Sequence, residues 1–111
     1  MFGFGGKKQK EISAAELNAM LKDDAVLLVD VREVDEFSDG HIAGAINMPL
    51  SQFQASRIPD PDGKTVVLQC AGGKRSAMAL DKCASAQAAI ETHLAGGIGA
   101  WKSAGFPIVR G

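Results

Sequence analysis

Two stretches of this chain are apolar without alternation: Val26-Leu27-Leu28-Val29 and Thr65-Val66-Val67-Leu68-Gln69. A half-buried strand alternates apolar with polar residues, and an amphipathic helix returns to its apolar face every three or four. A short unbroken run suits a strand covered on both faces, as in a parallel sheet. Each run stops abruptly in reactive side chains. The first ends in Asp30-Val31-Arg32-Glu33, the second in Cys70-Ala71-Gly72-Gly73-Lys74-Arg75-Ser76. In an open parallel sheet, ligands gather beyond the carboxyl ends of the strands. Asp30 and Cys70 are therefore predicted to lie on the same edge of the molecule.

The remaining segments fit around these two strands. Ile12 ends a short first strand, and Ser13 with Glu16 three residues later has capping-box spacing. Leu17, Met20 and Leu21 then give the helix that follows an apolar face. Val34–Phe37 predicts about one helical turn, Asp39-Gly40-His41-Ile42 a turn, and Ala43–Pro49 a short strand closed by the proline. Ser51 is positioned to cap a helix running to about Arg57. Ile58-Pro59-Asp60-Pro61-Asp62-Gly63 is a loop. After the cysteine segment, Ala77–Ala84 predicts a helix with Ala79, Leu80, Cys83 and Ala84 on one stripe. Ile90, Thr92 and Leu94 alternate with Glu91 and His93 as a weak last strand. Gly96–Trp101 opens a final helix that Gly105-Phe106-Pro107 breaks. Strand and helix patterns alternate throughout. The expected fold class is α/β, with about five mostly parallel strands and helices on both faces of the sheet.

A chain of 111 residues is enough for one compact domain, expected over residues 11–111. Residues 1–10 are expected to form a flexible tail. A net charge of −1 gives no basic footprint, so neither nucleic acid nor a membrane surface is an expected partner. No apolar run is long enough for a transmembrane helix or a signal sequence. Cys83 falls seven residues past Ser76 on the predicted helix, roughly 10 Å along its axis. That is too far for pairing with Cys70, because a disulfide needs Cα atoms within about 7 Å. A reducing, cytoplasmic compartment fits two free thiols. Cys83 is expected to be a small buried hydrophobe. The two cysteines and two histidines lack metal-ligand spacing, so no metal and no cofactor are expected.

The cysteine segment carries the chemistry. Cys70 sits at a strand tip, and the loop after it enters a helix N-terminus. Converging backbone N–H groups and the helix dipole favour an anion there. Lys74 and Arg75 add two positive charges. This is a setting for a thiolate, the nucleophilic form of cysteine. Gly72 and Gly73 can adopt positive φ and bring their N–H groups inward. Ala71, Gly72 and Gly73 leave the mouth of the pocket open. Lys74 is read as facing an anionic substrate, and Arg75 as holding the loop by pairing with Asp30 or Glu36. Asp30 is read as support for the active loop, and Arg32 as a structural residue paired with Glu33 or Glu36. Trp101 is read as packing, and neither His41 nor His93 is assigned as a base.

These pieces together resemble a single rhodanese domain. The resemblance rests on Asp30-Val31-Arg32 with Glu36-Phe37, on Gly40 through Pro49, on Cys70 through Arg75, on Gly96-Gly97 leading to Trp101, and on Gly105-Phe106-Pro107. It runs from about Ile12 to Val109, and the loop is similar to those of bacterial rhodaneses, including membrane-attached ones. The resemblance implies a free-standing, soluble sulfurtransferase. Cys70 would accept a sulfane sulfur from a small anionic donor such as thiosulfate, forming a persulfide. A thiophilic acceptor (cyanide, a thiol or a protein) would then remove it. Ala71, Gly72, Gly73, Lys74, Arg75 and Ser76 would form the active-site loop.

Loop length separates the neighbouring chemistries. Cysteine phosphatases and rhodanese-like arsenate reductases place five residues between cysteine and arginine, whereas four separate Cys70 from Arg75 here. The smaller ring suits a sulfur atom better than a tetrahedral oxyanion. The alternatives are a sulfur relay or binding module for a protein partner and, further off, an arsenate reductase or phosphatase.

Overall fold

The computed structural model describes residues 9–111. Its five strands are β1 (Lys10–Ile12), β2 (Val26–Asp30), β3 (Ile46–Asn47), β4 (Thr65–Gln69) and β5 (Thr92–Leu94). They form one sheet in the order β1-β5-β4-β2-β3, and every pairing is parallel. The four helices are α1 (Ala14–Lys22), α2 (Val34–Asp39), α3 (Lys74–Ser85) and α4 (Gly97–Ser103). After β2 the chain steps outward to β3, then returns past β2 to β4 and steps outward the other way to β5. The reversal leaves a crevice between the carboxyl ends of β2 and β4, the usual ligand position in such sheets. Asp30 is in register with Gln69, and the Val31 N–H donates to the Gln69 carbonyl at 2.8 Å. The two strand ends are thus level, and Cys70 follows directly.

The unalternating runs are covered on both faces. Leu28 and Val67 pack on one side with Leu17 of α1 and Ile98 and Trp101 of α4. Val29, Val66 and Leu68 pack on the other with Ala79, Leu80 and Cys83 of α3 and with Phe53. Each fully buried aliphatic side chain contributes roughly 1.5–3 kcal/mol. The two faces together hold β4 as the central strand. That rigidity is what fixes the position of the cysteine at its tip.

Local signals set the helix boundaries. The Ser13 hydroxyl accepts from the Glu16 N–H at 3.0 Å, and the Glu16 carboxylate accepts from the Ser13 N–H at 2.8 Å. This is the capping box read from the sequence. Four differences are informative. The helix expected from Ser51 to Arg57 is instead two 3₁₀ turns, Leu50–Gln52 and Ala55–Arg57. Phe53 adopts an extended conformation between them and is buried, so burial of one aromatic side chain overrides helical continuity. The strand expected over residues 43–49 is confined to Ile46–Asn47. Helix α3 begins at Lys74, three residues before the expected start, because Gly73 turns the chain with φ +109°. Strand β1 takes in Lys10, which the sequence reading gives to the leading segment. The rest of that segment, residues 1–8, lies outside the described residues. No helix among the described residues is long and apolar enough to cross a membrane.

Candidate active site

Cys70 leaves β4 almost fully buried, with 1% of its surface exposed. The early start of α3 brings first-turn N–H groups to its sulfur. Such groups have no partner within a helix. Here the N–H of Gly73 donates to Cys70 Sγ at 3.1 Å and that of Ser76 at 3.3 Å. The Ser76 hydroxyl lies 3.6 Å from the same atom. Burial alone pushes the Cys70 thiol up. The Ser76 hydroxyl and the N–H groups of Ser76, Gly73 and Gly72 outweigh it, and the thiol ends below its ordinary value. Cys83, buried without such donors, is pushed up. Both cysteines are free thiols.

Positive φ is confined to one loop glycine. Gly73 adopts it, whereas Gly72 does not, and a Cβ on Gly72 would meet nothing within 4 Å. Of the two glycines able to adopt positive φ, only Gly73 does, and this single left-handed residue suffices to start α3. Ala71 and Gly72 are exposed, so the outer rim of the loop is open to solvent.

The loop is held from behind by the turn into α4. The Ile98 N–H donates to the Cys70 carbonyl at 2.8 Å, and the Gly99 N–H to the Ala71 carbonyl at 3.1 Å. That approach requires Gly97, which has φ +60°. A Cβ there would run into the Cys70 carbonyl oxygen and lie 2.6 Å from both the carbonyl carbon and oxygen of Ala71.

The two cations of the loop have different surroundings. Arg75 forms a two-pronged pair with Glu36, Nη1 to Oε1 at 2.7 Å and Nη2 to Oε2 at 2.9 Å. The Arg75 guanidinium holds the Glu36 carboxyl down at about 2. Of the two partners expected for Arg75, Glu36 is the one observed. Lys74 is exposed and makes no ion pair among the described residues. Any net positive charge at the mouth of the loop is therefore carried by Lys74.

Asp30 and Arg32 form a buried pair of their own. The Asp30 carboxylate accepts from the Arg32 guanidinium at 2.8 Å and from the Arg32 backbone N–H at 2.9 Å. This corrects the expected partner of Arg32, which is neither Glu33 nor the Glu36 side chain. Arg32 also donates to the carbonyls of Glu36 at 3.3 Å and Gly40 at 2.7 Å. Asp30 thus reaches the cysteine loop only indirectly. It fixes Arg32, Arg32 ties the Glu36 and Gly40 carbonyls at the C-terminal part of α2, and α2 presents the Glu36 carboxylate to Arg75. Beside Asp30, the Gln69 amide is fully buried, and its Nε2 and Oε1 find no partner among the described residues.

One residue near the sulfur carries no signal in the sequence. His93 of β5 is buried, and its Nδ1 lies 2.8 Å from the Ser76 hydroxyl. A lone histidine in a short strand gives no sign of its neighbour across the sheet. Only the observed β4–β5 pairing brings the two together. His41, by contrast, stacks on Phe37 and bonds its carbonyl at 2.9 Å, a structural role within the α2 turn.

The family model for the rhodanese-like domain matches residues 13–104. The chain belongs to the rhodanese-like domain family. It is 44% identical over 99 residues to uncharacterized protein slr1261 of Synechocystis; the match covers 89% of this chain and spans only 55% of that relative's length. It is 34% identical over 100 residues to a sulfurtransferase of Allochromatium vinosum, covering 89% of this chain and 94% of that one. Among solved structures, a thiosulfate sulfurtransferase from Pseudomonas aeruginosa superposes with a TM-score of 0.80 at 27% identity. That superposition covers 93% of this chain and 20% of the other. The rhodanese fold expected from the sequence, a five-stranded parallel sheet flanked by helices, is the one observed.

Proposed function

We propose that this rhodanese-like protein is a sulfurtransferase that carries a sulfane sulfur on Cys70. The observation that supports it most directly is the set of donors on Cys70 Sγ, two backbone N–H groups and a hydroxyl at the start of α3. Donors aimed at one sulfur stabilise a thiolate before reaction and a persulfide after it, as an oxyanion hole does for oxygen.

The thiosulfate reaction runs in two steps. The Cys70 thiolate attacks the outer sulfur of thiosulfate. A bond forms between Sγ and that sulfur, the donor's S–S bond breaks, and sulfite leaves with the electron pair. A thiophilic acceptor (cyanide, a small thiol or a protein thiol) then attacks the outer sulfur, and Cys70 leaves as the thiolate. Lys74 attracts the anionic donor, while Arg75, already neutralised by Glu36, holds the loop in shape. The four-residue spacing and the small rim residues favour a sulfur atom over a phosphate or arsenate. A chemistry that requires a reduced thiol also favours a reducing compartment such as the cytoplasm.

The test is intact mass after incubation with thiosulfate, beside Cys70→Ser. A gain of one sulfur atom in the wild type and none in the variant is expected. No gain, together with turnover of a phosphate ester or arsenate, overturns the assignment.

A further inference from the structure

We propose that His93 is the resident acceptor of the Cys70 proton, reached through the Ser76 hydroxyl, with Glu11 as its counter-charge. The proposal rests on reading Cys70 as a nucleophile. It concerns how that thiol becomes an anion while it is almost fully buried.

The geometry forms a line across three elements. Cys70 Sγ lies 3.6 Å from Ser76 Oγ. Ser76 Oγ lies 2.8 Å from His93 Nδ1. His93 Nε2 lies 3.5 Å from the Glu11 carboxylate, and Glu11 is in register with His93 across the β1–β5 pair. Ser76 and His93 are both buried, whereas the Glu11 side chain is largely exposed. The line therefore connects a sealed sulfur to solvent. Other charged groups do not interrupt it. The register partner of His93 on β4 is Leu68, and on α3 Arg75 is turned to Glu36. Lys10 of β1 is paired with Glu91.

Hydrogen counting gives the line two states. A hydroxyl has one hydrogen to give, and a neutral imidazole has one N–H. Glu11 favours that N–H on Nε2, which leaves Nδ1 an acceptor. In the first state the Cys70 thiol donates to Ser76 Oγ, and the Ser76 hydroxyl donates to His93 Nδ1. In the second, both protons have moved one place. The Sγ–H and original Oγ–H bonds break, and new Oγ–H and Nδ1–H bonds form. The result is a thiolate and an imidazolium, with no proton lost and no oxidation or reduction. The imidazolium donates to Ser76 Oγ, and the Ser76 hydroxyl then donates to the anionic sulfur. Its alternative acceptor is the neutral Gly73 carbonyl at 3.1 Å, and hydrogen bonds to an ionised partner are the stronger kind. The persulfide that follows is also an anion, so the imidazolium remains its counter-charge through the transfer. His93 touches no reacting atom and is in this sense a positioning residue.

The test reads the thiolate directly, without sulfur transfer. The rate of Cys70 alkylation by iodoacetamide is followed against pH by peptide mass, which separates Cys70 from buried Cys83. His93→Gln and Ser76→Ala are each expected to slow alkylation at pH 6 by about tenfold, the effect of losing a hydrogen bond to a charged group. The double variant is expected to be no slower than Ser76→Ala alone, because residues in one chain of bonds are not additive. The Nδ1 resonance of His93, followed by 15N NMR at pH 7, is expected to move from the N–H form toward the acceptor form in Cys70→Ala, since its anionic partner is gone. Glu11→Gln, at an exposed site, leaves the imidazole in place and is expected to move the same resonance in the same direction. It keeps the proposal testable if His93→Gln does not fold. Wild-type alkylation in His93→Gln, additive losses in the double variant, or an imidazole indifferent to both Cys70→Ala and Glu11→Gln would each overturn it. A wild type that shows this pattern but takes no sulfur from thiosulfate and turns over a phosphate ester or arsenate would refute the sulfurtransferase assignment and leave the relay standing.

Discussion

Replacing Gly97 by alanine adds one carbon atom behind the cysteine loop, and its effect can be worked from the geometry. The residue would have to hold φ +60°, which costs a side-chain-bearing residue roughly 1–2 kcal/mol. The new Cβ would also stand 2.6 Å from the Ala71 carbonyl carbon and oxygen. Carbon contacts settle near 3.5–4.0 Å, so the two segments must part by about 1 Å. Parting them weakens the bonds from Ile98 to the Cys70 carbonyl and from Gly99 to the Ala71 carbonyl, each worth about 1 kcal/mol. The total is about 2–4 kcal/mol, or a fall of roughly 10–20 °C in melting temperature for a domain of this size. A shift of about 1 Å at a reacting group can also cost on the order of a hundredfold in rate. The assay is a thermal melt beside the rate of sulfur loading from thiosulfate. Gly63→Ala is the control: Gly63 has φ +83°, and a Cβ there meets nothing within 4 Å. It is expected to lose only about 1 kcal/mol, with loading unchanged. If Gly97→Ala melts and loads sulfur like Gly63→Ala, the close approach does not hold the loop.

Two further outcomes follow from the charges. The Glu36 carboxyl is depressed from 4.5 to about 2 in the folded state, so its pair with Arg75 adds stability above the unfolded value. That contribution is lost as pH falls from about 4.5 to about 2. Both side chains are about one-third exposed, which limits the gain to about 1 kcal/mol. Denaturant unfolding of wild type and Glu36→Gln should differ by that amount at pH 7 and converge near pH 2; a gap constant across that range would contradict the pairing. Lys74→Ala should raise the Michaelis constant for thiosulfate and change stability by less than about 0.5 kcal/mol, whereas Arg75→Ala should cost stability as well. Equal stabilities for the two variants would remove the distinction between substrate-facing and loop-holding cations.

The features legible in the sequence are local ones. The capping box of Ser13 and Glu16 depends on residues three apart, and the covered strands announce themselves by composition alone. The cysteine loop likewise declares its cations and its position between a strand and a helix. What stayed hidden depends on residues distant in sequence or on competing burial. His93 and Ser76 are 17 residues apart and meet because β5 pairs with β4. The guanidinium of Arg32 had four carboxylates within four residues, and only the folded chain shows that it turns back to Asp30. The helix expected after Ser51 fails because Phe53 is drawn into the core. The difference between Gly72 and Gly73 is a matter of one dihedral angle, to which composition is blind.

The turn at Gly97 also has a consequence for biosynthesis. Protein chains emerge from the ribosome N-terminus first, and Cys70 appears well before Ile98 and Gly99, whose N–H groups fasten its loop. In the unstructured chain it is an ordinary thiol with a pKa of about 8.5, largely protonated at neutral pH. The donors that favour the anion are set by the start of α3, and α4 then fastens the loop from behind through the Cys70 and Ala71 carbonyls. The heightened acidity of Cys70 is therefore a property of the folded domain and not of the nascent segment that carries it. Unfolding reverses the change, so the acidity of a single sulfur atom reports whether β4, its loop and the start of α3 are assembled around it.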